Sequence, residues 1–362
     1  MRNVVFFSSN ISRVATNQDD LLSRFQGYAQ KAEKVLRSNF ECVHLLIGGV
    51  YQINRIESMN NIKIAVLSRF IPAQYIALRI YLKSLKGQTT LISGDNHLSL
   101  LICLLVKCRN SDIRLQISIH TSVCALLNSA NIAEKLKLKF LLLNIRFIDS
   151  IRVVSNSDLE NLQKVIPYYK GEIFVAPVPI EIPKTALDRK LSNIVAMVGR
   201  LHSERGIEEC PAIFKELRVV RPESKIMLIG DGPERAWLEI QLDDFEPKPE
   251  FTGSLKQSDI QDKWSEIHVL LSCAPSESYG MALREALVNG VFVVARKNET
   301  TELLQAQFPS VMKVFASTSE AAVFINGFFN QVFSPNDVLA VRQAIKSEQD
   351  RDLAKLAKSW FV

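Results

Sequence analysis

PSESYGMALREALVNGVFVVA, Pro275 to Ala295, is the stretch whose reading decides the fold. It reads as a polar loop with one Glu, a glycine, a short helix from about Met281 to Val288, Gly290 as the helix stop, and a strand from Val291 to Ala295. Val269 to Ser272, just before it, reads as the end of another strand. Glu277 lies in the loop, and Glu285, eight positions on, lies one turn inside the helix. A helix starting just after Gly280 turns its free N–H groups and positive dipole end toward that loop, a ready-made anion site. Two carboxylates there would repel a bare phosphate and so suit hydroxyl groups. A ligand with both phosphates and hydroxyls is a nucleotide sugar. Plain dipole compensation and an ordinary glycine cap would leave the same residues, so the rest of the chain has to decide.

The 362 residues exceed a usual single domain, and 47% hydrophobic with 23% charged residues is a globular composition. The net charge of +6 fits anionic small molecules, an anionic membrane surface or nucleic acid without choosing among them. Cys42, Cys103, Cys108, Cys124, Cys210 and Cys273 are scattered with no C-x-x-C spacing, so buried reduced thiols are expected rather than disulfides or a zinc site. MRNVVFFSSN is too short an apolar run for a signal peptide, and no segment reaches the roughly 18 apolar residues of a spanning helix. The expected location is cytoplasmic. Leu98 to Val106, the longest apolar run, is expected to be a buried helix.

Strand-like runs at Asn3 to Ser8, Val43 to Ile47, Ile62 to Leu67, Thr89 to Ile92, Gln116 to His120, Ile151 to Val154 and Ile173 to Val175 alternate with helical patterns. Those helices include Asp19 to Ser38, Ala73 to Leu85 and Ile132 to Phe147. Such alternation predicts a parallel sheet covered on both faces. A proline-spaced segment from Pro177 to Leu191 interrupts the rhythm and reads as a linker. The expected domains are therefore 1–178 and 179–362. After the linker a second series begins: strand Ile194 to Val198, helix near Ile207 to Val219, strand Ile226 to Ile229, helix near Pro233 to Leu242, strand Phe251 to Thr252, and helix Gln257 to Ile267. Two α/β halves leave a cleft at the carboxyl ends of their strands, where open parallel sheets bind ligands.

Several residues at those strand ends suit chemistry. In MVGRLHSERGIEEC, Arg200 follows Gly199 and Arg205 precedes Gly206. Two guanidiniums there can hold a diphosphate by bidentate bonds, although loop arginines are usually just solvated. LIGDGPERAW, Leu228 to Trp237, is strand, tight turn, helix, and turn chemistry alone accounts for its glycines. His120 ends the run QISIH and would face the cleft. Lys135, Lys137, Lys139 and Arg146 stand among Leu and Phe between Ile132 and Phe147. That pattern fits a packed helix with a solvated cationic edge, or a surface that docks on anionic lipid.

Pro275, Ser276, Glu277, Tyr279, Gly280, Glu285, Ala286 and Gly290 resemble, in that order, the signature of the retaining GT-B glycosyltransferases of family 4 (glycosyl transferases group 1). Gly199 with Arg200, and the basic Arg205 before Gly206, are similar to the same family, which usually has Lys in the second place. The resemblance is strong over about residues 194 to 295 and weak in the first half. It implies a GT-B fold, two Rossmann-like domains facing each other across a cleft. It also implies sugar transfer from a UDP- or GDP-linked donor, with retention, to a glycan or lipid-linked acceptor in cell-surface polysaccharide synthesis. Glu277 would bind sugar hydroxyls and Glu285 the ribose. Gly199, Arg200, Arg205, Ser278, Tyr279, Gly280 and Met281 would bind the donor, Gly253 to Leu255 would line its base, and His120 would lie near the transferred sugar. No metal and no cofactor beyond the donor are implied, nor is nucleic acid; peripheral contact with an anionic membrane is expected from the cationic segment Ile132 to Phe147 instead.

The chain also departs from the family. Phe292 stands where a Pro is usual; ARKNETTELL, Ala295 to Leu304, has no Gly-Gly pair before Glu302; and SSNISR replaces a glycine-rich loop after the first strand. Ser359 and Trp360 resemble the family's Ser-Trp, but the chain stops at Val362, so the helix that commonly returns to the first domain is expected to be absent or shortened. These departures keep a non-catalytic nucleotide-sugar-binding partner protein open as an alternative, beside a nucleotide-sugar epimerase. A glycosidase is disfavoured, because both carboxylates belong to one half.

Overall fold

The computed structural model describes residues 2–10, 40–48, 56–59, 62–95, 97–119, 132–183 and 192–360. His120, the helix expected over Asp19 to Ser38 and most of the linker lie outside them. The chain divides into two units, Met1–Pro177 with Asp350–Val362, and Val178–Gln349. Each is built on one sheet.

In the first unit the strands are β1 (Arg2–Ser8), β2 (Phe40–Gly48), β3 (Ile56–Met59), β4 (Ile62–Leu67), β5 (Gln88–Ser93), β6 (Ile113–Ile119), β7 (Ser150–Val153) and β8 (Glu172–Val175). Their order is β3-β4-β2-β1-β5-β6-β7-β8. The pairs are parallel except at β3, which turns back antiparallel on β4 as a short edge strand that carries no apolar rhythm to announce it. Side chains alternate across the sheet with the period of two that a strand imposes. Val5, Phe7 and Leu46 enter one core, and Val4, Val43, Leu45 and Ile47 the other. Burial on both faces is why the runs are apolar almost throughout.

Helices Ile71–Ser84, Leu98–Lys107, Ile132–Asn144 and Asn156–Val165 each join successive strands in the same direction along the sheet, so right-handed crossovers put all four on one face. Leu78, Ile102, Leu141 and Leu162 pack there with Val5 and Phe7. The opposite face is covered by the end of the chain. A helix is present over Pro335–Ser359, 25 residues, contrary to the expectation that it would be lost or short. Leu353, Leu356 and Trp360 bury against Val4, Val43 and Ile92, and Gln116 Nε2 donates to the Ser359 carbonyl at 3.0 Å. Those three apolar residues, spaced to one helical face, suffice to seat an otherwise polar segment.

The second unit carries β9 (Ile194–Val198), β10 (Lys225–Ile229), β11 (Glu250–Gly253), β12 (Val269–Ser272), β13 (Phe292–Arg296) and β14 (Met312–Phe315), all parallel, in the order β11-β10-β9-β12-β13-β14. Helix Met281–Val288 has the expected bounds. Strand β13 starts one residue later than expected because the Val291 N–H still closes the helix end, donating to the Ala286 carbonyl at 2.9 Å beyond Gly290 at φ 71°. Trp264, Phe214, Phe292, Phe315 and Phe328 fill the core. The order reverses between β9 and β12, the point of a doubly wound sheet where a crevice opens at the carboxyl ends of the strands.

Candidate active site

Arg200 and Arg205 follow β9, and Glu277 follows β12, so the two strands at the switch point supply the charged groups. Two glycines shape the first loop. Gly199 has φ 138°, and a Cβ there would meet nothing within 4 Å, so its backbone borders open space. Gly206, φ 62°, is the reverse case: a Cβ would lie 2.1 Å from the Cys273 carbonyl oxygen. This main-chain contact presses the turn Ser203–Arg205 against the end of β12 and carries Arg205 to Glu277. The Arg205 Nη1 donates to Glu277 Oε1 at 2.7 Å. The glycines of the Gly230-Asp231-Gly232 turn work in the same way. A Cβ on Gly230 would lie 1.9 Å from the Gly199 carbonyl, and one on Gly232 2.1 Å from that of Leu201, so this turn supports the Gly199 loop from beneath.

The Glu277 side chain is only 12% exposed. Burial holds its carboxyl above the usual range, opposed by the Arg205 guanidinium, first through charge and then through the hydrogen bond, and by the charge of Arg284. A desolvated carboxylate with one cationic partner is a strong acceptor for hydroxyl donors.

Side chains from outside fix the Glu277 loop. The Thr300 Oγ1 donates to the carbonyls of Glu277 at 2.7 Å and Ser278 at 3.2 Å, and the Asn298 Nδ2 to that of Ala274 at 3.1 Å. Buried Arg284 donates to the Tyr279 carbonyl, lies 3.7 Å from the centre of the Tyr279 ring, and pairs with Glu348 at 3.2 Å. The Ser278 Oγ is buried with no hydrogen-bond partner among the described residues. Helix Met281–Val288 starts on Gly280 at φ 69° with no side-chain cap and no acidic residue in its first turn. Its first N–H groups therefore remain available to an anion.

Gly199, Arg200, Arg205, Ser272, Glu277 and Leu283 line one pocket. Arg200 is largely exposed, 3.7 Å from Glu204, so it borders the pocket from solvent. Other residues read from the sequence stand outside that lining. Gly253, at φ 71°, accepts from the Gly230 N–H at 2.9 Å. Ser278, Tyr279 and Gly280 form the loop behind Glu277, Met281 is partly exposed, and Glu285 is buried within the helix. Thr300, Asn298 and Arg284 were not singled out from the sequence. An Asn with Thr three positions on, ahead of a helical run, is a capping box and the signal that could have found the first pair's segment.

The family model described as glycosyl transferases group 1 matches residues 180–303. The phosphatidylinositol N-acetylglucosaminyltransferase gpi3 subunit of Schizosaccharomyces pombe is 26% identical over 129 residues, 35% of this chain and 27% of that protein. A GDP-mannose-dependent alpha-mannosyltransferase of Corynebacterium glutamicum is 31% identical over 99 residues, 27% of this chain and 22% of that protein. The match thus spans about a quarter of the length of these curated relatives. The structure of sucrose-phosphate synthase from Thermosynechococcus elongatus superposes with a TM-score of 0.74 at 14% identity, covering 100% of this chain and 99% of that one, a likeness of fold. The fold is that of the GT-B class, and residues 180–303, which hold every residue lining the pocket, match the glycosyl transferases group 1.

Proposed function

We propose that the protein is a glycosyltransferase that moves a hexosyl group from a UDP- or GDP-linked donor to a glycan or lipid-linked acceptor, with retention at the anomeric carbon. A role in building cell-surface polysaccharide goes with that reading. The observation that carries it is the Arg205–Glu277 pair at the β9/β12 switch point, beside an uncapped helix start. When the bond from the anomeric carbon to the diphosphate oxygen breaks, the electron pair stays on the diphosphate. Arg205, Arg200 and the first N–H groups of helix Met281–Val288 would stabilise that charge, the largest single contribution available to such a site. Glu277 takes the hydroxyls of the sugar and Glu285 those of the ribose. For His120, which lies outside the described residues, a role near the transferred sugar rests on the family resemblance alone.

The names of the relatives fit this reading, one including an N-acetylglucosaminyl group and a phosphatidylinositol, the other GDP-mannose. Calorimetry with UDP, GDP, ADP and their common sugars, on the native chain and the Arg200→Ala/Arg205→Ala double variant, tests the donor site. One nucleotide should bind the native chain and fail to bind the variant. Glu277→Ala should lower transfer roughly 10²- to 10³-fold or more, whereas Glu285→Ala should mainly weaken donor binding. Full activity in both single variants overturns the assignment. Donor binding without turnover on any acceptor replaces it with a non-catalytic binding protein, a reading that the capped, glycine-free start of helix Glu299–Gln307 favours.

A further inference from the structure

Three neighbouring strands of the second sheet meet their carboxyl ends in glycine. Gly199 follows β9 at φ 138°, Gly230 follows β10 at φ 137°, and Gly253 ends β11 at φ 71°. Main chain laces them together: the Gly199 N–H donates to the Ile229 carbonyl and the Gly230 N–H to the Gly253 carbonyl, both at 2.9 Å. They form a shelf without side chains, two strand spacings or about 10 Å across. A Cβ on Gly199 would meet nothing within 4 Å, and one on Gly253 only Arg235, so both ends of the shelf border open space.

The near end of the shelf, Gly199, lines the pocket with Arg205 and Glu277. On the other side of β12 the helix that follows β13 begins on capped Asn298, with Glu299 and Glu302 in its first turn. A nucleotide whose diphosphate sits at the β9/β12 switch point would therefore lay its nucleoside along the glycines toward β11.

Arg235 stands at that far end. It opens helix Arg235–Gln241, and its Nη1 lies 3.4 Å from where a Cβ of Gly253 would be. Its Nε donates to Glu239 Oε1 at 2.8 Å, and its guanidinium carbon is 5.8 Å from the centre of the Phe251 ring. Asp231 Oδ2 stays 3.9 Å from Nη1, too far for a hydrogen bond. The guanidinium is thus held from its Nε side, and its Nη1–Nη2 edge has no hydrogen-bond partner among the described residues. Arginines tied to neighbouring carboxylates are common on surfaces and contribute little to stability. A fork held from behind, beside a shelf bare of side chains, is built to receive something.

Two parallel N–H donors pair best with two adjacent acceptors. Guanine has that pair in O6 and N7, whereas adenine sets its amino donor beside N7. In uracil an N–H stands between the two carbonyls. We propose that Arg235 reads the nucleobase and makes guanine the preferred base, so that the donor is GDP-linked. The proposal rests on the glycosyltransferase reading above and narrows it.

Calorimetry of GDP, UDP and ADP on the full chain, with Arg235→Met and Arg235→Lys alongside, is the test. The native chain should bind GDP about tenfold tighter, or more, than UDP or ADP. Arg235→Met should lower GDP affinity roughly tenfold and leave the other two within about threefold, at an unchanged melting temperature. Arg235→Lys keeps the charge and loses the fork, so it should lose the preference as well, and it decides the matter if Arg235→Met does not fold. Tighter binding of UDP or ADP, a GDP preference that survives both substitutions, or an equal drop for all three nucleotides overturns the proposal while leaving the donor site standing. No binding of any nucleotide to the native chain overturns the donor site, and this proposal with it.

Discussion

Two helices leave neighbouring strands of the same sheet, Met281–Val288 after β12 and Glu299–Gln307 after β13, and they begin in opposite ways. The first starts on a left-handed glycine with no cap and no acidic residue. The second starts on Asn298, whose side chain accepts from the Thr301 N–H at 3.0 Å while the Thr301 hydroxyl accepts from the Asn298 N–H at 2.9 Å, with Glu299 and Glu302 in its first turn. The second is what helix chemistry alone would choose. The first leaves the same groups unsatisfied at the place where Arg205 meets Glu277. Uncapped N–H groups thus stand at one strand end, while the neighbouring helix start is capped, acidic and serves as a tether, since Asn298 and Thr300 hold the Glu277 loop.

Making the first start resemble the second should have the largest effect. Met281→Asp puts a carboxylate into the first turn of an uncapped helix. Affinity for the nucleotide diphosphate should fall about tenfold, an energy of about 1.4 kcal/mol, while the fold gains roughly 0.3 to 1 kcal/mol from the dipole. Calorimetry and thermal melting on one sample read both quantities, and unchanged affinity would place the diphosphate elsewhere. Making the second start resemble the first is the converse change. Asn298→Ala should cost about 1 kcal/mol and lower the melting temperature by roughly 2 to 4 °C, with affinity for the nucleotide changed by no more than about threefold, under 1 kcal/mol. A gain in affinity would break the comparison.

The smallest effect concerns Glu277. Its carboxyl is held above the usual range, so the folded state binds the proton more tightly than the unfolded chain, and stability contributed by this group is lost as pH rises through the raised value. Glu277→Gln mimics the protonated form. It should melt higher than the native chain at neutral pH, by roughly 2 °C or more for each kcal/mol relieved, and the gap should close once pH falls below the carboxylate range. A lower melting temperature at neutral pH would mean that the bond to Arg205 outweighs burial.

Much of the second sheet was legible because its strands are short apolar runs punctuated by Gly280 and Gly290, and β9, β12 and helix Met281–Val288 have the expected bounds. The final helix was not, since Leu353, Leu356 and Trp360 stand among charged residues and show their purpose only against Val4 and Val43. At the site, Arg205 and Glu277 could each be named, but their bond joins residues 72 positions apart. It depends on the bare Cα of Gly206 against a carbonyl, which no local pattern records. Thr300 was read only as part of a segment lacking glycines. Its hydroxyl instead provides a hold on the Glu277 carbonyl that a glycine could not.

Because that approach is made by main chain at Gly206 and Cys273, the mounting of the site is separate from the parts mounted on it. Arg205 can be exchanged for lysine, or Glu277 for aspartate, with the two strand ends staying where they are, whereas any side chain at Gly206 would have to push a carbonyl aside. Variation in what the pocket accepts is therefore channelled into its interchangeable side chains, and the seam beneath them is the position with no freedom to drift.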